Sequence, residues 1–179
     1  MEEYLTEEKL GEFLKEYFNE GEWIHDKCFL GRNRPDYRND FYKMIVEFDG
    51  YAHYTSTRRI VQDGLKDELY HENGYKVIHI PYFVQLSKKT ISRLFGLNME
   101  YEQKYPHGFI DPKCVLPADF CHLGTKRFFR DLETFKEIKD EILVSLVKKI
   151  ESLKNRSLVI PDTEEFNHFL RNFSSSENS

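Results

Sequence analysis

The chain has 179 residues, 40% apolar and 32% charged, with a net charge of −5. That is the composition of a soluble globular protein of one domain with a small annex, and it excludes a fibrous or wholly disordered chain. The acidic balance argues against a protein that coats nucleic acid by bulk charge, although a site needs positive charge on only one face. Three cysteines, Cys28, Cys114 and Cys121, are odd in number and irregular in spacing. They argue against a disulfide framework and predict a reducing, cytoplasmic setting. No signal-peptide pattern opens the chain, and no apolar run approaches the ~20 residues of a membrane span.

In chain order, residues 6–18 predict a helix: Thr6 caps it, Glu7 and Glu8 suit its positive end, and Leu10, Phe13, Leu14, Tyr17 and Phe18 share a face. Residues 23–30 predict a strand or an irregular entry into one, and residues 31–35 form a basic loop. Residues 36–38 begin a short extended segment. The clearest strand is 42–49, with Tyr42, Met44, Val46 and Phe48 on one side and Lys43, Ile45, Glu47 and Asp49 on the other. Residues 57–73 predict a helix with Val61, Leu65 and Leu69 as its apolar face, and Asn73-Gly74 as its stop. A second clear strand covers 75–80. A short helix over 88–95 is capped by Ser87, residues 98–125 read as loop, and 132–154 predict one long amphipathic helix. Asp162 and Glu165 form a capping-box pattern for a last helix. The Ser-rich segment 174–179 is expected to be disordered.

Glu47 and Asp49 lie two apart on a strand, so their carboxylates share a face. Asp36 sits on the preceding extended segment, which a hairpin brings alongside. Three carboxylates on adjacent strands repel one another unless a cation neutralises them. Oxygen ligands of this kind suit Mg²⁺ or Mn²⁺, which can polarise a phosphodiester and activate water. The structural alternative is a solvated acidic edge. His53 follows closely, and histidine is a residue type suited to a general base; alone, a hydrogen-bonded loop histidine is the simpler account. Asp63, Lys66 and Asp67 share a helix face, where ion pairing alone accounts for them.

Arg34-Pro-Asp-Tyr37, then Ile45-Val-Glu-Phe-Asp-Gly-x-x-His53, then Asp63-x-x-x-Asp67, then Asn73-Gly-Tyr-Lys-Val-Ile-His-Ile-Pro81 form an ordered set. It resembles the very short patch repair endonuclease group and, more closely, related small bacterial nucleases of the PD-(D/E)XK superfamily. The resemblance covers residues 6–83. It implies a restriction-endonuclease-like α/β core over 1–86, a small mixed sheet flanked by helices, with a helical C-terminal region over 87–173 packed against it. It also implies an Mg²⁺- or Mn²⁺-dependent endonuclease acting on DNA.

In that resemblance Asp36 matches the metal-binding aspartate and Glu47 the (D/E) position. Asp49 stands where many members carry lysine and the repair enzymes carry histidine, and it is expected to assist as a third ligand. The missing positive charge falls to His53 or Lys66. Asp63 and Asp67 resemble the helix acids that support the histidine, and Glu7 resembles a first-helix glutamate near the metal.

Repair members also hold structural zinc, for which His25, Cys28, Cys121 and His122 are conceivable ligands. Arg34, Arg38, Arg58 and Arg59, with Arg32, Lys88, Lys89 and Arg93, are the expected phosphate contacts. Lys126, Arg127 and Arg130 form a second basic patch without an assigned role. The helix over 132–154 offers a homodimer interface. The alternatives are an inactive nuclease-like binding module, a nuclease for RNA or branched DNA, and an assembly protein built on the aromatic-rich C-terminal half.

Overall fold

The computed structural model describes residues 5–104 and 117–176, with side chains through 173. Cys114 lies outside the described residues. Helix α1 (Glu7–Tyr17) is followed by strands β1 (Trp23–His25), β2 (Tyr37–Asn39) and β3 (Met44–Asp49). A one-turn helix α2 (Ala52–Thr55) and helix α3 (Thr57–Glu72) lead to strand β4 (Lys76–Pro81). Then come α4 (Lys88–Phe95), α5 (His122–Thr134), α6 (Lys139–Leu153) and α7 (Glu164–Ser176). The protein is α/β, with a small four-stranded mixed sheet in the order β1-β2-β3-β4, flanked by helices. The first two pairings are antiparallel; β3 and β4 are parallel, joined by the α3 crossover.

The alternation along β3 gives the sheet two unlike faces. Met44 and Val46 join a core with Ile78 and Ile80 of β4, Leu10, Phe13 and Leu14 of α1, and Phe128, Ile142 and Phe166 of the C-terminal helices. Residues from both segments of the chain therefore share one hydrophobic core. On the other face only Ile45, Tyr70 and Tyr75 are buried together, with Phe29, Leu30 and Val77 beside them. The rest of that face, from Glu47 and Asp49 to His79, is polar and lies under α3.

This polarity turns α3 around relative to the sequence expectation. Val61 and Leu65, expected in the core, are 53% and 61% exposed, whereas Asp63 and Tyr70 are buried. A sheet that presents carboxylates and a histidine is matched by the polar stripe of the helix, and its apolar stripe is left in solvent.

Several boundaries also differ. Of residues 23–30 only Trp23–His25 pair as strand, with an isolated bridge between Phe29 and Asn33. The long helix expected over 132–154 is two helices. Phe135 leaves helical geometry at φ −104°, ψ 43°, and a 3-10 turn over Lys136–Ile138 intervenes, which buries both Phe135 and Ile138. No Gly or Pro marks this break between 125 and 160. Helix α5 begins inside the stretch read as loop, because its cap is a cysteine: Cys121 Sγ accepts from the Gly124 N–H at 3.4 Å, an uncommon start signal. Helix α7 is capped by Thr163, whose Oγ1 accepts from Phe166 N–H at 3.4 Å, not by the expected Asp162. It runs to Ser176, into the segment expected to be disordered. Among the described residues no helix is long and apolar enough to cross a membrane.

Helix α5 reaches the sheet through α2. The Tyr54 carbonyl accepts from Cys121 N–H at 3.1 Å, and a Cβ at position 124 would overlap that carbonyl oxygen, so glycine is required for the approach. Tyr54, fully buried, donates its hydroxyl to Asp131 at 2.7 Å.

Urea denaturation tests the orientation of α3. Leu65→Ala should change stability by no more than ~0.5 kcal/mol, as for an exposed site, while Tyr70→Ala should cost roughly 3 kcal/mol or more, as for a buried ring. Equal losses would place the apolar stripe inside.

Candidate functional site

Antiparallel register sets Tyr37 against Val46, which carries the preceding residue, Asp36, to the level of Glu47. Both side chains then lie on the α3 face. Asp36 Oδ2 accepts from Phe48 N–H at 2.7 Å, and Glu47 Oε2 accepts from Asp36 N–H at 3.4 Å. From α3, Lys66 Nζ approaches Glu47 Oε1 to 3.3 Å. Glu47 is only 5% exposed, yet its Oε1 finds no hydrogen bond of good geometry, nor does the hydroxyl of buried Tyr70. Burial raises the Glu47 carboxyl to about 7, against the pull of Lys66 and with a further push from Asp36. Burial likewise raises Asp36 to about 6; the Phe48 amide opposes it, and the charges of Glu7 and Asp49 add to it. This pair is short of positive charge and of donors.

Asp49 is in the opposite condition. Its side chain is 1% exposed, and it accepts from Arg127 Nη2 at 2.5 Å and from His79 Nδ1 at 2.8 Å, with His53 Nδ1 at 3.5 Å. Burial pushes its carboxyl up, but His79, Arg127 and His53 together outweigh this and hold it below the usual carboxylate range. Asp63 bonds His53 Nδ1 at 2.7 Å and Arg127 Nη1 at 3.1 Å. Its pKa is lowered too: burial raises it, and His53, then Arg127, outweigh burial. Asp67 holds His79 Nε2 at 3.0 Å. Burial disfavours the His79 cation, but hydrogen bonds to Asp49 and Asp67 raise it to about 10, so the ring is charged at neutral pH. Asp49, His53 and Asp63 offer ligand atoms within 4.8 Å of one another, a set that could hold a metal ion.

The residues singled out in the sequence are thus divided between two neighbouring clusters. Asp36, Glu47 and Lys66 form one. Asp49, His53, Asp63 and Asp67 belong to the other, where Asp49, expected as a third ligand beside Asp36 and Glu47, is committed to Arg127 and His79. The resemblance implied that Asp63 and Asp67 both support His53; here Asp63 bonds His53 and Asp67 bonds His79. Glu7 pairs with His25 at 2.8 Å and raises Asp36 through its charge.

Of the expected phosphate contacts, Arg38 is engaged: it stacks 4.0 Å over Phe29 and pairs with Asp40 at 2.9 Å. Lys88 pairs with Glu100 and Arg93 with Glu137. Arg34 is exposed, 3.6 Å from Asp26. Arg58 and Arg59 are exposed on the first turn of α3, in no ion pair among the described residues. Among the described residues the conceivable zinc ligands form no group that could hold an ion: His25 is held by Glu7, Cys28 is exposed, and Cys121 caps α5.

Sequence reasoning missed His79, Arg127, Tyr54 and Asp131. His79 was within reach, since parallel pairing of the two clear strands sets it beside Glu47. Arg127 looked like one member of a surface basic patch, and nothing in its local sequence marks it as buried.

No protein-family model, curated protein or solved structure matches this chain.

The raised carboxyls give a signed test. A carboxyl that holds its proton more tightly folded than unfolded leaves extra protons on the native state. Stability from Asp36 and Glu47 therefore falls as pH rises from about 4 through 7. In EDTA at pH 8, Glu47→Gln should raise the melting temperature, and at pH 4.5 the gain should vanish. A loss at both pH values would make Glu47 a structural ion-pair partner of Lys66. His79 acts in the same sense at higher pH: its contribution is complete below about 6.5 and is lost as pH rises through about 10.

Proposed function

We propose that this protein is a divalent-metal-dependent endonuclease with a PD-(D/E)XK, restriction-endonuclease-like core, acting on DNA, in which Asp36 and Glu47 hold Mg²⁺ or Mn²⁺. The observation that carries the reading is the condition of the Asp36–Glu47 pair. Two carboxyls, one just before β2 and one on β3, are raised to about 6 and about 7; Glu47 Oε1 is buried with no well-aligned hydrogen bond, and the partnerless hydroxyl of Tyr70 is close enough to feel its charge. These residues fit a hard divalent cation, which takes oxygen ligands and would cancel their repulsion. When bound, such a cation polarises a phosphodiester and lowers the pKa of its water.

The chain's own groups supply the rest. Lys66 brings from α3 the positive charge that the strand lacks at Asp49, and its ammonium, 3.3 Å from Glu47, is placed to stabilise charge developing on a phosphate. His53 is fixed by Asp63, 2.7 Å from its Nδ1. Beside Lys66 opens a groove of about 430 Å³ lined by Asn33, Gln62, Leu65, Lys66 and Leu69. Arg34 on the adjoining loop and Arg58 and Arg59 on α3 are exposed and suited to phosphate positioning. Local basic groups of this kind are compatible with the overall charge of −5.

The specific observation on the other side is that Asp49, at the motif's lysine position, is sealed by Arg127, which favours an inactive binding module.

Incubation with supercoiled plasmid, DNA duplexes, branched DNA and RNA, in Mg²⁺, Mn²⁺ or EDTA, separates these. Cutting should require metal and be abolished in Asp36→Ala and Glu47→Ala. Lys66→Ala should lose about 10²–10³-fold, the effect of removing one electrostatic stabiliser. Cutting confined to RNA or branched DNA would correct the substrate. No cutting, with no metal-induced rise in melting temperature, would establish the binding module.

A further inference from the structure

The Asp49–His53–Asp63 cluster has the makings of a second metal site, and it already contains a cation. We propose that Arg127 is that cation: its guanidinium fills the cluster, so that the chain takes a metal at Asp36 and Glu47 and none here. The clause on Asp36 and Glu47 rests on the function proposed above; the assignment of Arg127 does not.

The ligand atoms of the three residues lie within 4.8 Å of one another. A mixed nitrogen and carboxylate set of that size suits first-row ions such as Co²⁺ or Zn²⁺. Arg127 reaches the two carboxylates of this set with two nitrogens of one planar group: Nη2 to Asp49 Oδ2 at 2.5 Å and Nη1 to Asp63 Oδ2 at 3.1 Å. Nη1 also donates to the His53 carbonyl at 3.4 Å. A divalent ion gathers several oxygens by radial bonds, whereas a guanidinium does so through a fixed fork of donors.

The side chain is not a surface arginine that has swung inward. It is 7% exposed, lies 5.1 Å over the Tyr54 ring, and has Asp131 3.7 Å from Nε. Its helix is pinned by the glycine contact at Tyr54 and by the Tyr54–Asp131 bond. Removing a buried partner of this kind takes the guanidinium from both carboxylates and leaves Asp49 with His79 and Asp63 with His53. A cation entering between the two carboxylates then restores the lost charge, and His53 supplies the third ligand.

The test is metal binding by the full chain carrying Asp36→Asn and Glu47→Gln, which silences the other pair. In that background the chain with Arg127 should bind no Co²⁺ at the cluster, by calorimetry and by visible absorption. Arg127→Gln should gain one equivalent with ligand-field bands, at least ten-fold tighter, and the gain should disappear with His53→Ala or Asp63→Asn. Arg127→Lys, which keeps the charge, should gain nothing. A folded Arg127→Gln protein without the gain, or a gain indifferent to His53, overturns the proposal. If Arg127→Gln is unfolded without metal, recovery of its circular dichroism on adding Co²⁺ supports the proposal and failure to recover overturns it.

The unsubstituted chain separates the two readings with Mn²⁺. One equivalent that needs Asp36 and Glu47 supports both. None overturns the metal at Asp36 and Glu47 and leaves Arg127→Gln to decide the cluster. Two, the second needing His53, overturns the built-in cation.

Discussion

One guanidinium, that of Arg127, lies between two carboxylates under helix α3, and the arrangement of the sheet's polar face depends on it. Asp49 is at the end of β3, Asp63 is on α3, and Arg127 is on α5, so the ion pairs tie strand, crossover helix and C-terminal helix together at one point. Moving such charges out of water costs several kcal/mol per ion. The cost is offset only because each carboxylate has more than one donor. His79 serves Asp49 from one side and Asp67 from the other, and His53 serves Asp63. Tyr54, which carries His53 as its neighbour, is held by α5 through its carbonyl and its hydroxyl.

The two clusters on this face differ in how well their charges are met. Around Asp49 every carboxylate has a cation or a donor, and the pKa values of Asp49 and Asp63 are depressed. Around Glu47 there is one lysine for two carboxyls, and both pKa values are raised. A protein interior built only for stability would give Glu47 Oε1 a well-aligned donor and the Tyr70 hydroxyl a partner. Such a deficit is common at functional sites, where stability is given up for chemistry.

The strand pattern was legible because one face of β3 is apolar and the other is not; Met44, Val46 and Phe48 alternate with Lys43, Glu47 and Asp49, and Ile45 is the exception. The α3 helix was legible as a helix but not in its orientation. Val61 and Leu65 make the better apolar stripe, and only the polar sheet beneath explains why Asp63 and Tyr70 face inward instead. The division of the acidic residues into two clusters was not legible either, since it depends on a residue far along the chain. Arg127 lies between Lys126 and Phe128 in a segment with no strong start signal. Its burial follows from the close approach at Gly124, which is a tertiary contact.

Dependence on Arg127 also sets an order of events. In a chain synthesised from its N-terminus, β3, α3 and β4 emerge first, and at ~5–20 residues per second α5 follows roughly several seconds later. During that interval Asp49 and Asp63 have no guanidinium, and the face beneath α3 cannot close without water. Docking of α5 is then the late step of maturation. The polar face is complete only once the C-terminal helices have joined the N-terminal segment.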